Sequence, residues 1–346
     1  MEYNSYIKSI KEKFHFNKIK LSLKKLENLN VLAIGDIIID IYIFVAPKGR
    51  AIKDPILSTG FESEEKYAGG ILAVSNHLSS YVNKIKLISL IGDKRSFSEF
   101  IKNSMVKNIE LKTFVKNYSP TNVKKRYVDF YRSNKLFKVE YINDEPISQD
   151  LTEDIVHYLS QEIDKYNLVI VGDFGHGFIN DSIRKVLEEK SKFLSINVQS
   201  NSANMGYNYI SHYQNPDFVI MNEDELRLPL MKRFEGIQLV IKDFHNRFKY
   251  NKFLVTMGKQ GCIFFNNGNT YKAPAVTNQV VDTVGAGDAV FAVSSLLSYI
   301  NIDNEVLPFI SNCAGAIKSE YMGNKESVTK EKLLNFIKKI YEYEMG

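Results

Sequence analysis

The sequence predicts an α/β protein, a mostly parallel central sheet covered on both faces by helices, with a small antiparallel β lid set apart from it. Three observations predict this. Apolar, β-rich runs recur along the 346 residues, and several end in Gly, Asn or Asp. Amphipathic helical patterns fall between most of these runs, the βαβ signature of a parallel sheet. Residues 41–67 and 112–143 are rich in Tyr, Phe, Val and Lys and lack a helical period, so both are expected as strands of the lid.

Taken in order, residues 1–29 read as an amphipathic helical extension, because KIKLSLKKLENL alternates Lys with Leu and Ile at helix spacing. It is expected to pack on the domain or on a partner. Residues 30–346 form one domain. Its strands are NVLAIGDIII (30–39), KIKLISLIG (84–92), NLVIVGDF (167–174), KFLSINVQ (192–199), DFVIMNE (217–223) and KFLVTMG (252–258), with helices such as Asp181–Lys190 and Ile237–Phe248 between them. In such sheets ligands gather beyond the carboxyl ends of the strands. Asp36, Asp173, Asn197, Asn222 and Gly258 are therefore expected to share one rim.

Composition narrows the function classes. Hydrophobic residues make up 44% and charged residues 25%, the balance of a folded chain. The net charge of +5 is modest and the lysines are scattered among acids, which argues against a nucleic-acid binder. Cys262 and Cys313 lie far apart without CxxC or Cys/His spacing, so neither a disulfide framework nor a zinc site is expected. The amino terminus lacks an apolar signal core, and no apolar run approaches the ~18 residues of a membrane span. A cytoplasmic protein without membrane contact is the expectation.

The stretch DTVGAGDAVF (282–291) carries the chemistry. A helix starting near Gly287 exposes backbone N–H groups at its first turn, and its dipole favours an anion there. Gly285, Ala286 and Gly287 have little or no side chain, so a phosphate can approach closely, and Asp288 projects from the same turn. An anion hole beside a carboxylate suits phosphoryl transfer, where the moving group needs charge stabilisation and the acceptor hydroxyl needs a base. The competing explanation is a glycine turn with a capping aspartate before a packed helix. The triplet Asp173-Phe174-Gly175 lacks the glycine-rich hairpin and HRD loop of protein kinases, and no Walker A sequence is present.

The pattern Asp282, Thr283, Gly285, Ala286, Gly287, Asp288 resembles the carboxyl-terminal signature of the PfkB/ribokinase family of sugar kinases. The resemblance runs from about Val31 to Gly323 and implies a ribokinase-like three-layer fold, ATP and magnesium as cofactors, and Asp288 as base. It further implies that Asp40 of GDIIID holds sugar hydroxyls and that Gly69 and Gly70 of YAGG lie under the sugar. Asn222 and Glu225 of NEDE would organise magnesium, through water, and the phosphates. Thr256, Gly258 and Gly261 of VTMGKQG, with Asp282, Thr283 and Asn312, would lie by the nucleotide.

Within the family the chain is most similar to heptose-phosphate kinases, which act in cell-surface polysaccharide synthesis and are often joined to a nucleotidyltransferase. SPTNVKKRYV (119–128) carries Lys124 and Arg126 at that group's basic positions, and alternation sends both to one side of a strand. A charge run of this kind is otherwise a solvated strand face. VGDFGHG (171–177) resembles the group's SDYxKG turn, with Asp173 on the sugar side. Three departures stand out: His176 replaces a lysine, Asn197-Val198-Gln199 replaces DPK, and Ala73 replaces an asparagine. The implied substrate is a heptose 7-phosphate phosphorylated at its anomeric carbon. The alternatives are a free-sugar or nucleoside kinase, or a non-catalytic sensor of sugar or nucleotide. The resemblance also leaves room for a homodimer through the β lid and for a separate nucleotidyltransferase acting on the product.

Overall fold

The computed structural model describes residues 3–201, 204–277 and 279–342. Helices α1 (Tyr3–Lys13) and α2 (Phe16–Lys24) open the chain. β1 (Asn30–Gly35) runs into β2 (Ile37–Arg50), which pairs with the returning β3 (Leu57–Gly70). Next come α3 (Ile71–Leu78), β4 (Lys84–Lys94), α4 (Ser98–Asn103), β5 (Ile109–Pro120), β6 (Val123–Asp129) and β7 (Lys135–Tyr141). The chain then alternates through α5 (Gln149–Glu162), β8 (Leu168–Asp173), α6 (Asp181–Lys190), β9 (Leu194–Val198), β10 (Phe218–Asn222), α7 (Glu223–Arg227), α8 (Ile237–Phe248) and β11 (Lys252–Thr256). A hairpin of β12 (Cys262–Asn266) and β13 (Asn269–Ala273) precedes α9 (Ala286–Tyr299), α10 (Val306–Ser319) and α11 (Lys330–Glu342).

The strands form a large sheet in the order β13-β12-β11-β10-β9-β8-β1-β4-β5 and a small one in the order β3-β2-β6-β7. From β11 to β5 the large sheet is parallel, and the β12–β13 hairpin adds an antiparallel edge. Alternation along β1 divides the core: Val31 and Ala33 pack on one face, Leu32 and Ile34 on the other. α9 is buried continuously from Asp288 to Ser298, as expected for a helix apolar all round.

The architecture is the expected one, with three local differences. The run 30–39 is two strands rather than one, because the chain leaves the large sheet at Asp36. Ser89 Oγ accepts the Ile37 N–H (3.0 Å) and donates to the Gly35 carbonyl (2.5 Å), and the Asp36 N–H bonds to the Gly172 carbonyl (3.3 Å). The crossing therefore satisfies its backbone off the ladder. Both flanks are buried, so hydropathy carries no sign of the break. Residues 112–120, expected in the lid, belong to β5 and pair with β4, Lys112 opposite Ile88. An edge strand with a half-exposed face has the composition of a lid strand. Finally, the lid is antiparallel except for its central pair: β2 and β6 run parallel. They continue β1 and β5, which share one direction in the large sheet, so they enter the lid in the same sense.

The amino-terminal helices are not set apart from the domain. Tyr6, Ile7, Ile10, Ile19 and Leu23 join the apolar cluster that contains α9, α10 and α11, Lys13 pairs with Glu305 at 2.7 Å, and the Tyr341 hydroxyl donates to the Phe14 carbonyl at 2.6 Å. Packing draws no boundary at residue 29. Among the described residues no helix is long and apolar enough to cross a membrane.

Candidate active site

Beyond the carboxyl ends of β9, β10 and β11 the lid overhangs a cavity of about 300 Å³. Its floor is the first turn of α9. Gly285 caps this helix at φ 81°, and a Cβ there would collide with the Asn324 side chain, so only glycine fits. Gly285, Gly287 and Asp288 line the cavity, as does Thr283. Ala286 does not, and its N–H is taken by the Thr283 carbonyl at 3.2 Å. Open space lies beside the Gly287 Cα.

Asp288 is buried at 8% exposure. Burial pushes its carboxyl up to about 7, Asp40 adds to the rise, and Lys318, Lys124 and the Gln199 amide pull against it. Gln199 Nε2 stands 3.4 Å from Asp288 Oδ1. A carboxyl poised near neutrality at a helix amino terminus is suited to accept a proton from a bound hydroxyl.

The lid supplies Asp40, Lys124 and Arg126 to the opposite wall. They are cross-strand neighbours, Asp40 opposite Lys124 and Tyr42 opposite Arg126. The two cations are not a solvated face, since Lys124 is 8% exposed and the Arg126 side chain 13%. Nor are they unpaired. Arg126 forms an ion pair with Asp40, and Lys124 lies 3.8 Å from Glu140. Behind Asp40 sits Gly69, where any Cβ would collide with the Asp40 carboxylate, while Gly70 lines the cavity and caps α3.

The third wall is the start of α7. Asn222 and Glu225 make a reciprocal capping box: Asn222 Oδ1 accepts the Glu225 N–H (2.9 Å), and Glu225 Oε2 accepts the Asn222 N–H (2.8 Å). Glu225 Oε1 also accepts the Ser200 N–H at 3.1 Å. Burial pushes Glu225 up to about 7 against these bonds. Thr256, at the end of β11, completes this side.

Several expected site residues lie outside this cavity. Of the predicted rim, Asn197 and Asn222 reach the cavity, whereas Asp36, Asp173 and Gly258 do not. Asp173, expected on the sugar, is saturated by the Tyr213 hydroxyl (2.9 Å), Asn208 Nδ2 (3.2 Å) and the Gly175 N–H (3.0 Å), so it braces the 174–177 turn. Asn312 does not reach the cavity and donates to the Ala273 and Pro274 carbonyls. Gly258 and Gly261 flank the turn from β11 to β12, with the Met257 N–H on the Gly261 carbonyl at 2.8 Å.

Asp282, expected beside the nucleotide, faces the lid. It accepts the Tyr42 hydroxyl (2.8 Å), Lys135 Nζ (2.5 Å) and the N–H groups of Gly323 and Val284 (each 3.0 Å). Burial would raise its pKa, but these partners win and hold it below the ordinary carboxylate value. The same carboxylate thus ties the lid to the loop that leads into α9. Asp282→Ala is expected to lower stability by about 1–3 kcal/mol, the cost of orphaning a buried donor such as the Tyr42 hydroxyl. The contribution is complete above the ordinary value of 3.8 and fades as pH falls further. Denaturant melts at neutral pH check this, and an unchanged midpoint would rule the tether out as a source of stability.

Sequence reasoning assigned no role to Gln199 or Lys318. Gln199 was visible only as a departure from the DPK pattern. Lys318 stands in the apolar run of α10, and helical spacing places it with Ser311 and Ala314 on the buried face.

The fold and the site together define a carbohydrate kinase of the ribokinase-like class: a Gly-rich helix start and a buried aspartate beneath a β lid. The chain belongs to the pfkB family of carbohydrate kinases, whose profile matches residues 28–298. It is 26% identical over 323 residues to the bifunctional protein HldE of Aliarcobacter butzleri, covering 91% of this chain and 64% of that protein. Against HldE of Helicobacter pylori strain J99 the identity is 23%, covering 85% and 63%. The chain thus spans just under two thirds of the curated relatives it matches. Similar solved structures include ribokinase from Thermotoga maritima (TM-score 0.68, 15% identity, 90% and 99% covered). Others are Escherichia coli phosphofructokinase-2 with fructose-6-phosphate (0.68, 14%, 92% and 99%) and Arabidopsis thaliana ribokinase with ribose and ATP (0.67, 16%, 92% and 100%).

Proposed function

We propose that the protein transfers the γ-phosphoryl group of ATP to the anomeric hydroxyl of a heptose 7-phosphate, with Asp288 as the base. The observation that carries this reading is the placement of two cations, the buried Lys124 and the largely covered Arg126, on the wall facing Asp288 and the open turn of α9. The acceptor hydroxyl, oriented by Asp40, attacks Pγ. Its O–P bond forms as the bond from Pγ to the bridging oxygen breaks, ADP departs, and the hydroxyl proton passes to Asp288. The turn Gly285–Gly287 faces the charge carried by the moving group. The similarity to HldE proteins supports the sugar phosphate, and the product would pass to a nucleotidyltransferase. Exposed Leu57, Phe61, Phe137 and Val139 on the lid strands support a homodimer formed through the lid. A panel of sugars and sugar phosphates with ATP, read by mass spectrometry, tests the acceptor. Preferred turnover of a nucleoside or a free hexose would replace this reading.

Magnesium fits the donor set as a nucleotide-borne ion. Among the described residues no group of three or more His, Cys, Asp or Glu is placed to hold a metal by itself, and the oxygens of Asn222 and Glu225 are engaged by backbone N–H groups. Both residues line the cavity, where they would hold the ion through water while the phosphates supply its direct ligands. When bound, the ion neutralises phosphate charge. Activity is expected to vanish in EDTA and return with added magnesium, while the melting temperature of the ligand-free protein stays unchanged. Full turnover in EDTA would contradict this.

A free-sugar acceptor is the second reading, favoured by one observation: Arg126 is already neutralised by Asp40.

A further inference from the structure

Lys318 is fully buried at 0% exposure, and its Nζ has no hydrogen-bond partner among the described residues. It lies directly behind the anion-hole loop. A Cβ on Gly285 would come within 3.0 Å of Lys318 Cε and would strike Asn324, whose Oδ1 is likewise buried without a partner. The neighbouring Ser319 carbonyl accepts the N–H groups of Val281 (2.8 Å) and Asp282 (3.3 Å), so the carboxyl end of α10 carries the loop that enters the site. A methionine would fill this space without the desolvation cost of an ammonium, which makes the charge the informative feature.

Building on the base role of Asp288, we propose that Lys318 is a positioning residue: its buried ammonium backs the Thr283–Gly287 loop, biases Asp288 toward its charged form, and offsets the negative charge gathered at the first turn of α9 during transfer. The groups facing it are Asp282 and Asp288 on that loop and helix, Asp40 and Lys135 on the lid, His77 on α3, and Lys332 on α11, which shares the Tyr321 ring with Lys318. Burial lowers the Lys318 pKa to about 8, against the pull of Asp282 and Asp288. His77 is pushed down by burial to about 3 and stays neutral throughout. The window follows from the signs. Rate rises as Asp288 loses its proton near 7 and falls as Lys318 loses its own near 8.

The test compares wild type, Lys318→Met, Lys318→Arg and Asp288→Asn. It measures kcat between pH 6 and about 9.5 with ATP and heptose 7-phosphate, ADP affinity by calorimetry, and thermal melts. Lys318→Met is expected to lower kcat by about ten- to a hundred-fold, somewhat less than loss of a direct oxyanion donor. It should also abolish the alkaline limb, move the acid limb to higher pH, and leave ADP affinity within about twofold. Lys318→Arg, which stays charged, is expected to retain activity and push the alkaline limb outward; it carries the test if the methionine variant does not fold. A wild-type profile with no alkaline limb, or a folded Lys318→Met enzyme with wild-type kcat and limbs, overturns the proposal. A fully active Asp288→Asn enzyme beside an impaired Lys318→Met enzyme would instead sink the base assignment and leave the electrostatic role of Lys318 standing.

Discussion

Asp288→Asn is expected to reduce kcat by about 10²- to 10⁴-fold, the usual worth of a general base, while nucleotide affinity holds. The amide preserves the shape of the first turn of α9 and the contact with Gln199 but accepts no proton. The electrostatics sharpen the expectation. Burial together with Asp40 keeps the carboxyl near 7 rather than near 4, so it binds a proton far more readily than a surface aspartate would. Substrate binding need not suffer, because the substitution removes a charge that repels the phosphates. Single-turnover rates with saturating ATP, set against calorimetric ADP affinity, separate the two effects. A variant within about threefold of wild-type kcat would show that the proton leaves by another route.

What could be read in the sequence was the chemistry held in contiguous stretches. DTVGAGD places Thr283, Gly285, Gly287 and Asp288 within seven residues, and a helix start fixes their relative positions whatever surrounds them. Strand alternation put Lys124 and Arg126 on one side, and the structure brings both to the cavity. Orientation set by distant partners was not legible. Asp282 lies inside the motif yet points to Tyr42, which precedes it by 240 residues, and Asp173 is claimed by Tyr213 and Asn208. Hydropathy sees which residues are buried, not which sheet they are buried in, so the crossing at Asp36 and the placement of β5 escaped it. Lys318 looks like an ordinary lysine in the last turn of a helix, where the dipole favours a cation. Helical spacing sets it on the buried face with Ser311 and Ala314, but only the packing around α10 reveals that its ammonium is sealed in without a hydrogen-bond partner among the described residues.

The acceptor's own phosphate is expected to raise its affinity, and loss of Lys124 to remove about tenfold of that gain. A charge-assisted hydrogen bond contributes on the order of 1.5–3 kcal/mol when the cation is otherwise unsatisfied. These cations are not so placed, because Glu140 stands near Lys124 and Asp40 holds Arg126. An incoming phosphate must exchange with a carboxylate already there, so the net gain belongs at the lower end, about 1.4 kcal/mol or tenfold for Lys124. Arg126 differs. Its removal strands the buried Asp40 carboxylate that orients the sugar, so Arg126→Ala should raise KM for every sugar, by up to about a hundredfold, phosphorylated or not. The discriminating quantity is therefore the ratio of KM for unphosphorylated heptose to that for heptose 7-phosphate. Lys124→Met should shrink this ratio about tenfold with ATP KM unchanged, whereas Arg126→Ala should raise both constants. If wild type uses the two sugars equally well, the lid cations serve Asp40 and the strand pairing alone, and the enzyme is a free-sugar kinase whose lid charges orient a carboxylate rather than bind a phosphate.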